Sequence, residues 1–106
     1  MGRYLLQGSY TTEGIKGVLK EGGTGRRAAV EAATKTLGGK VEAFYYAFGE
    51  TDVFVIVDGI DDTTMAAFAM GVAATGTVRI RTTVLMTPEE IDQAAKKTLA
   101  FRAAGH

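Results

Sequence analysis

Two carboxylates, Glu50 and Asp52, stand two residues apart in the segment Gly49-Glu50-Thr51-Asp52. Such a pair can bind a cation, and a carboxylate that neighbouring rings shield from water can act as a general base. The alternative is a structural turn, in which Asp52 accepts hydrogen bonds from backbone amides while Glu50 is solvated. Turn aspartates commonly have this second role, so the turn is the favoured interpretation and the chemical one stays open.

Two arginines, Arg79 and Arg81, form the next candidate site. They lie in a segment that alternates as a β-strand does, so their side chains share one face. Two guanidinium groups on one face can hold an anionic ligand through paired hydrogen bonds. An edge strand that uses charge to prevent further strand pairing explains the same pattern equally well.

A glycine-rich segment, Gly22-Gly23-Thr24-Gly25, precedes Arg26 and Arg27. Free backbone amides at a helix start can bind a phosphate. However, the lysine of a P-loop is missing, and no strand directly precedes the segment as a dinucleotide-binding fingerprint requires. The segment is therefore predicted to be a flexible hinge between two helical pieces, and its role stays open.

Composition excludes several kinds of chemistry. The chain has no cysteine and a single histidine at position 106, so thiolate catalysis, cysteine-based metal sites and histidine dyads are not expected. Twelve basic residues balance twelve acidic ones, which does not favour binding to nucleic acid. No apolar run approaches the roughly 18 residues of a membrane helix, and the start of the sequence lacks an apolar stretch long enough for a signal peptide, so none is expected. We expect a cytoplasmic protein without a cofactor, a metal or a membrane partner.

Hydrophobic periodicity predicts four strands and three helical regions in the order β-α-β-β-α-β-α. The strands are expected at residues 4–10, 41–48, 53–57 and 77–86. Helical segments are expected at residues 11–20, 26–37, 63–75 and 88–100, with the first two joined by the glycine hinge. This order predicts an α+β, ferredoxin-like βαββαβ sandwich with an extra C-terminal helix, as a single domain over residues 1–106.

Alternation along the hairpin predicts which side chains point to which face of the sheet. The core face is expected to hold Phe44, Tyr46, Phe48, Val53, Val55 and Val57, with Val78, Ile80 and Val84 from the last strand. The other face, called the open face below, is expected to carry Gln7, Tyr45, Asp52, Phe54, Ile56, Arg79 and Arg81. Its aromatic and aliphatic groups are too large to leave in water. Pairing of two sheets face to face would cover them, so a homodimer or larger homo-oligomer is expected.

The sequence resembles the GYD-domain family of small bacterial α+β proteins from Tyr4 to about Lys97. The residues that carry the resemblance are Tyr10-Thr11-Thr12-Glu13-Gly14, Leu37-Gly38-Gly39-Lys40, Gly49-Glu50-Thr51-Asp52, Asp61-Asp62 and Leu85-Met86-Thr87-Pro88-Glu89-Glu90. Gly49 and Asp52 match the glycine and aspartate of the motif that names the family, and Thr51 stands where its tyrosine is expected. The resemblance implies a ferredoxin-like fold, similar to that of dimeric α+β barrel proteins, and implies no particular activity.

The predicted function is an oligomeric small-ligand-binding domain whose pocket lies on the open face. Tyr45 and Phe54 would supply the apolar wall and Gln7 a hydrogen bond, while Asp52, Arg79 and Arg81 would supply charge. One alternative is a cofactor-independent enzyme of the oxygenase or isomerase type, with Asp52 as base and an arginine as anion stabiliser. The other alternative is a structural self-assembly domain.

Overall fold

A computed structural model describes residues 2–106, and Met1 lies outside the described residues. The elements are β1 (Gly2–Tyr10), α1 (Thr12–Thr36), β2 (Lys40–Tyr46), β3 (Val53–Ile60), α2 (Asp62–Ala73), β4 (Val78–Leu85) and α3 (Pro88–Ala95). The strands form one antiparallel sheet in the order β2-β3-β1-β4. With α1 and α2 as the crossovers, this order is the predicted ferredoxin-like α+β arrangement, and α3 is the extra helix.

The core lies between the helices and one face of the two central strands. Alternate residues of β3, Val53, Val55 and Val57, are buried, as the period of a strand requires. Tyr4 and Leu6 of β1 meet them, and partly buried groups such as Phe44, Phe68 and Ile80 pack around this centre. The predicted core face of the hairpin is therefore confirmed at its central positions.

Three predicted core residues are exposed, Tyr46 at 40% in the edge strand β2 and two others more strongly. Phe48 lies beyond the end of β2 and its side chain is fully solvated, with a relative exposure of 104%. Val84 is 59% exposed because β4 is an edge strand, where a side chain has a neighbouring strand on one side only. Alternation fixes which face a residue points to, but it does not reveal where the strand stops or which strand lies at the edge.

Helix α1 consists of two helical pieces joined at the predicted hinge. Only Gly22 leaves helical geometry, at φ 78° and ψ 162°, so the break is a kink at one residue and not a loop over the whole glycine-rich segment. Glycine adopts this conformation without the Cβ clash that other residues would suffer, so a kink at one residue is sufficient. The buried position in the second half of α1 is Thr34, whose hydroxyl donates a hydrogen bond of 2.8 Å to the Val30 carbonyl.

Helix α3 starts where the sequence predicts and ends earlier. Thr87 and Glu90 form a reciprocal capping box with Pro88 in the first turn, but the helix stops at Ala95 rather than near residue 100. Every residue from 88 to 106 is exposed. The radius of gyration is 16.9 Å, against about 13 Å for a compact chain of similar length. The C-terminal segment therefore extends away from the domain and leaves the second face of the sheet open.

Candidate functional site

Predicted ligand-binding residues come together on the open face as one straight row across the sheet. Strand register places Tyr45 opposite Phe54, Phe54 opposite Gln7, and Gln7 opposite Arg81. Side chains directly opposite each other in an antiparallel sheet have Cβ atoms about 4.5–5.5 Å apart. The row therefore runs from two aromatic rings through an amide to a cation, with Tyr45 71% exposed at one end.

Asp52 and Arg79 belong to the neighbouring row. Arg79 is opposite Ser9, and Asp52 lies beside Ser9 because the next residue, Val53, is opposite Gly8. Both Arg79 and Arg81 are exposed, and within residues 2–106 neither of them forms a salt bridge. The predicted arginine pair is therefore present on one face, with its hydrogen-bond donors available to a ligand.

The structure places Asp52 in the turn role that the sequence favours. Its carboxylate accepts a 2.9 Å hydrogen bond from the backbone amide of Tyr10. Its own backbone amide donates to the Gly8 carbonyl and its carbonyl accepts from Ala47, both at 2.8 Å. Asp52 thus joins the end of the hairpin to β1. Across the described residues, no three acidic, histidine or cysteine side chains come together in a way that could hold a metal.

The far end of the open face is closed by a charged cluster. Arg3 donates two hydrogen bonds to the Glu42 carboxylate, at 3.0 and 3.1 Å, and lies 3.7 Å from Asp58. The hydrogen bonds and charge of Glu42 raise the pKa of Arg3, and the charge of Asp58 raises it further. Between this cluster and the arginines of β4 lies an apolar strip that includes Leu5 opposite Ile56. The open face is therefore apolar at its centre and charged at its ends.

A second concave region lies on the other side of the sheet, where the sequence analysis proposed no site. A cavity of about 360 Å³, the helix-side cavity, lies between α1, α2 and the sheet. Its floor consists of core residues such as Leu6, Val53 and Val55, and its walls include Phe68, Val72 and the glycines Gly8, Gly14 and Gly17. The sequence does hold a signal for it, because Gly14, Gly17 and Glu21 recur at helical spacing without a large apolar side chain.

The polar end of the helix-side cavity is formed by Tyr10, Arg26 and Glu21. Arg26 donates a hydrogen bond of 3.3 Å to the Glu21 carboxylate. Burial is the main cause that raises the pKa of Tyr10 to about 12. The neighbouring Tyr46 also raises this pKa, whereas the positive charge of Arg26 lowers it. Tyr46 in turn donates a 3.0 Å hydrogen bond to the Gly23 carbonyl at the kink of α1. The Tyr10 hydroxyl therefore keeps its proton to a higher pH than an exposed tyrosine does.

Comparison with known proteins identifies the family of this chain. An antiparallel β2-β3-β1-β4 sheet with two crossover helices on one face defines a ferredoxin-like α+β protein. The family model described as the GYD domain matches residues 4–95, so this chain belongs to the GYD-domain family. Searches of curated proteins and of solved structures found no match. Across residues 2–106, none of the helices has the length and apolar character that a membrane span requires.

Proposed function

We propose that this protein is a small-ligand-binding domain that works as a homodimer, or as a larger assembly built from such dimers. The ligand lies between two open faces. The observation that carries the proposal is the row of Tyr45, Phe54, Gln7 and Arg81, which presents aromatic, amide and cationic groups together on an uncovered sheet face.

Apolar surface on the open face supports self-association. Leu5, Phe54 and Ile56 remain partly exposed at the centre of the sheet, and no residue of α3 is buried. Burying such a side chain completely contributes about 1.5–3 kcal/mol. A second copy of the chain provides that burial, because the faces of two twisted sheets pack well at about 10 Å.

The exposed C-terminal segment supplies further contact area. Four strands of seven to nine residues cover about 500 Å² in projection, whereas a stable interface buries about 800 Å² per partner. The segment beyond β4 carries exposed Ile91, Leu99 and Phe101. The segment begins beside the open face, where Glu90 lies close enough to Arg3 to raise the pKa of Arg3. This segment can therefore reach across to the partner and add the missing area.

A two-fold axis parallel to the strands makes the row self-complementary. Such an axis places β4 of one copy over β2 of the other, since these strands are the two edges of the sheet. Arg81 then faces Tyr45 of the partner subunit, where a cation and an aromatic ring attract each other. Phe54 similarly faces Gln7 of the partner subunit. The resulting space has aromatic walls and arginines at its ends, which suits a small aromatic or anionic molecule.

Native mass spectrometry of the purified protein tests both parts of the proposal. We expect a dimer that carries an additional small mass. Arg81→Gln should keep the dimer and lose that mass, while Arg27→Gln, an exposed arginine on α1, should lose neither. A dimer without any bound mass would instead support a structural self-assembly domain. A monomer would contradict the proposal as a whole.

A further inference from the structure

We propose that the helix-side cavity is a second binding site, for a compact, uncharged, mostly apolar molecule that carries one carbonyl oxygen. The cavity is lined by residues of a single chain and lies on the opposite side of the sheet from the open face. The inference therefore does not depend on dimer formation or on a ligand at the open face.

The cavity remains open where Gly17 lines it, at a place where a larger side chain could fill the core. Protein interiors are normally packed without voids much larger than a water molecule. Here Gly17 contributes no side-chain volume, whereas Gly8 and Gly14 allow close contacts with their neighbours. A Cβ added at Gly17 would meet nothing within 4 Å, whereas one added at Gly14 would lie 1.9 Å from the Thr77 carbonyl oxygen. Gly14 is thus required for the contact between α1 and the start of β4, and Gly17 faces open space.

The size and the shape of the cavity fit a small molecule. Its volume of about 360 Å³ lies within the range of about 300–1,000 Å³ that is typical of ligand sites. Its floor is apolar, and the exposed side chains of Glu13, Glu21 and Thr75 lie at its mouth. A ligand can therefore enter from solvent and bury its apolar part against the sheet.

Hydrogen-bond donors at one end select for an acceptor on the ligand. Arg26 has five N–H donors, of which the structure shows one in a hydrogen bond, to Glu21. Tyr10 lies beside Arg26, but its hydroxyl interacts with Tyr46, so the N–H groups of Arg26 are the donors that a ligand meets. An oxygen acceptor bound here receives hydrogen bonds that an equally shaped hydrocarbon does not.

Charges around the cavity favour an uncharged acceptor over an anion. Two carboxylates, Glu13 and Glu21, and one guanidinium, Arg26, belong to its lining. Arg26 is already paired with Glu21 at 3.3 Å, so a second carboxylate would face repulsion that the single guanidinium does not compensate. A ketone or similar carbonyl group has the acceptor oxygen without the net charge.

Three molecules of similar shape test the assignment by amide chemical-shift titration: acetophenone, ethylbenzene and benzoate. We expect acetophenone to bind with shifts centred on Gly14, Gly17 and Thr77. Ethylbenzene should bind roughly 3–10-fold more weakly, the factor that one hydrogen bond provides, and benzoate more weakly than acetophenone. Arg26→Met should remove the preference for acetophenone over ethylbenzene while leaving ethylbenzene binding unchanged. Tightest binding by benzoate would overturn the charge argument.

A pair of glycine variants separates the cavity from the rest of the surface. Gly17→Leu places a side chain into the open space and should abolish binding of acetophenone and ethylbenzene. Gly71→Leu makes the same change at an exposed position of α2, where an added Cβ also meets nothing within 4 Å, and should leave binding intact. Unchanged binding to Gly17→Leu, or shifts centred on Phe54 and Arg81, would overturn the proposal.

Discussion

Tyr4 shows how a single buried residue makes the stability of this protein depend on pH. It is 2% exposed and its hydroxyl donates a hydrogen bond to Asp62. That hydrogen bond, together with burial and the charges of Asp62 and Asp61, raises the pKa of Tyr4 to about 12. Tyr10 has a pKa of about 12 as well, mainly because it is half-buried. Between about pH 10 and 12, the folded protein therefore keeps the hydroxyl protons of Tyr4 and Tyr10, which the unfolded chain loses near pH 10.

The free energy of unfolding should consequently fall as the pH rises from about 10 to 12. In this range the unfolded chain binds fewer protons than the native protein, so deprotonation favours unfolding. Tyr4→Phe removes one of the two groups and should make the decline less steep, which urea unfolding at a series of pH values measures. An equally steep decline in Tyr4→Phe would show that Tyr4 is not the titrating group.

Asp52 gives a second prediction at the residue scale, because its carboxylate holds the backbone amide of Tyr10. Asp52→Ala leaves that amide without its partner and should reduce the free energy of unfolding by about 1–3 kcal/mol. Asp52→Asn keeps an acceptor oxygen at the same place and should reduce the free energy of unfolding by less. Urea titration distinguishes the two variants, and equal stability of wild type and Asp52→Ala would argue against the turn role.

Among the elements, α1 contains a kink at Gly22 that is sensitive to mutation. Gly22 has φ 78° and ψ 162°, a conformation that is close to glycine-only and costs other residues about 1–3 kcal/mol. Gly22→Ala should therefore destabilise the protein by that amount. Gly71→Ala, in an open helical position of α2, should instead stabilise it by about 0.5–1 kcal/mol. Denaturant unfolding of the two variants measures this contrast, and effects of the same sign would contradict it.

Much of the element order could be predicted from local signals, because caps and turns depend on neighbouring residues. Thr87, Pro88 and Glu90 start α3 as expected, Asp61 caps α2, and Gly49 has a positive φ of 135° in the hairpin. The hinge in α1 was predicted, but not the residue at which it lies, since Gly22, Gly23 and Gly25 can each adopt a positive φ. The end of β2 before Phe48 and the edge position of β4 depend on tertiary pairing, which local periodicity does not contain.

For the candidate site, the sequence predicted which residues share the open face but not how they align. Alternation places Tyr45 and Phe54 together, while their row with Gln7 and Arg81 follows from the register of all four strands. The helix-side cavity was not predicted, because its walls come from β1, α1, α2 and β4. Its local signal is the helical spacing of Gly14, Gly17 and Glu21, which is also compatible with close helix packing.

At the scale of the whole molecule, the open face and the extended C-terminal segment both expose apolar groups that a dimer would cover. The chain measures 56 × 33 × 22 Å, and its exposed terminal residues include Leu99 and Phe101. In a dimer, these apolar groups can pack against the partner instead of facing water. Deletion of residues 99–106 should therefore weaken the dimer without unfolding the monomer. Sedimentation equilibrium measures the dissociation constant, and an unchanged value would show that the open faces alone form the contact.

Sedimentation equilibrium of matched aromatic variants tests the central claim most directly. Phe54→Asp places a charge at the centre of the open face, and Phe48→Asp makes the same change at a fully solvated residue outside the sheet. We predict that the wild-type protein and Phe48→Asp sediment as dimers or larger assemblies of dimers, while Phe54→Asp is a folded monomer. A wild-type protein that stays monomeric at all concentrations, or a Phe54→Asp variant that associates as the wild type does, would contradict pairing through the open face.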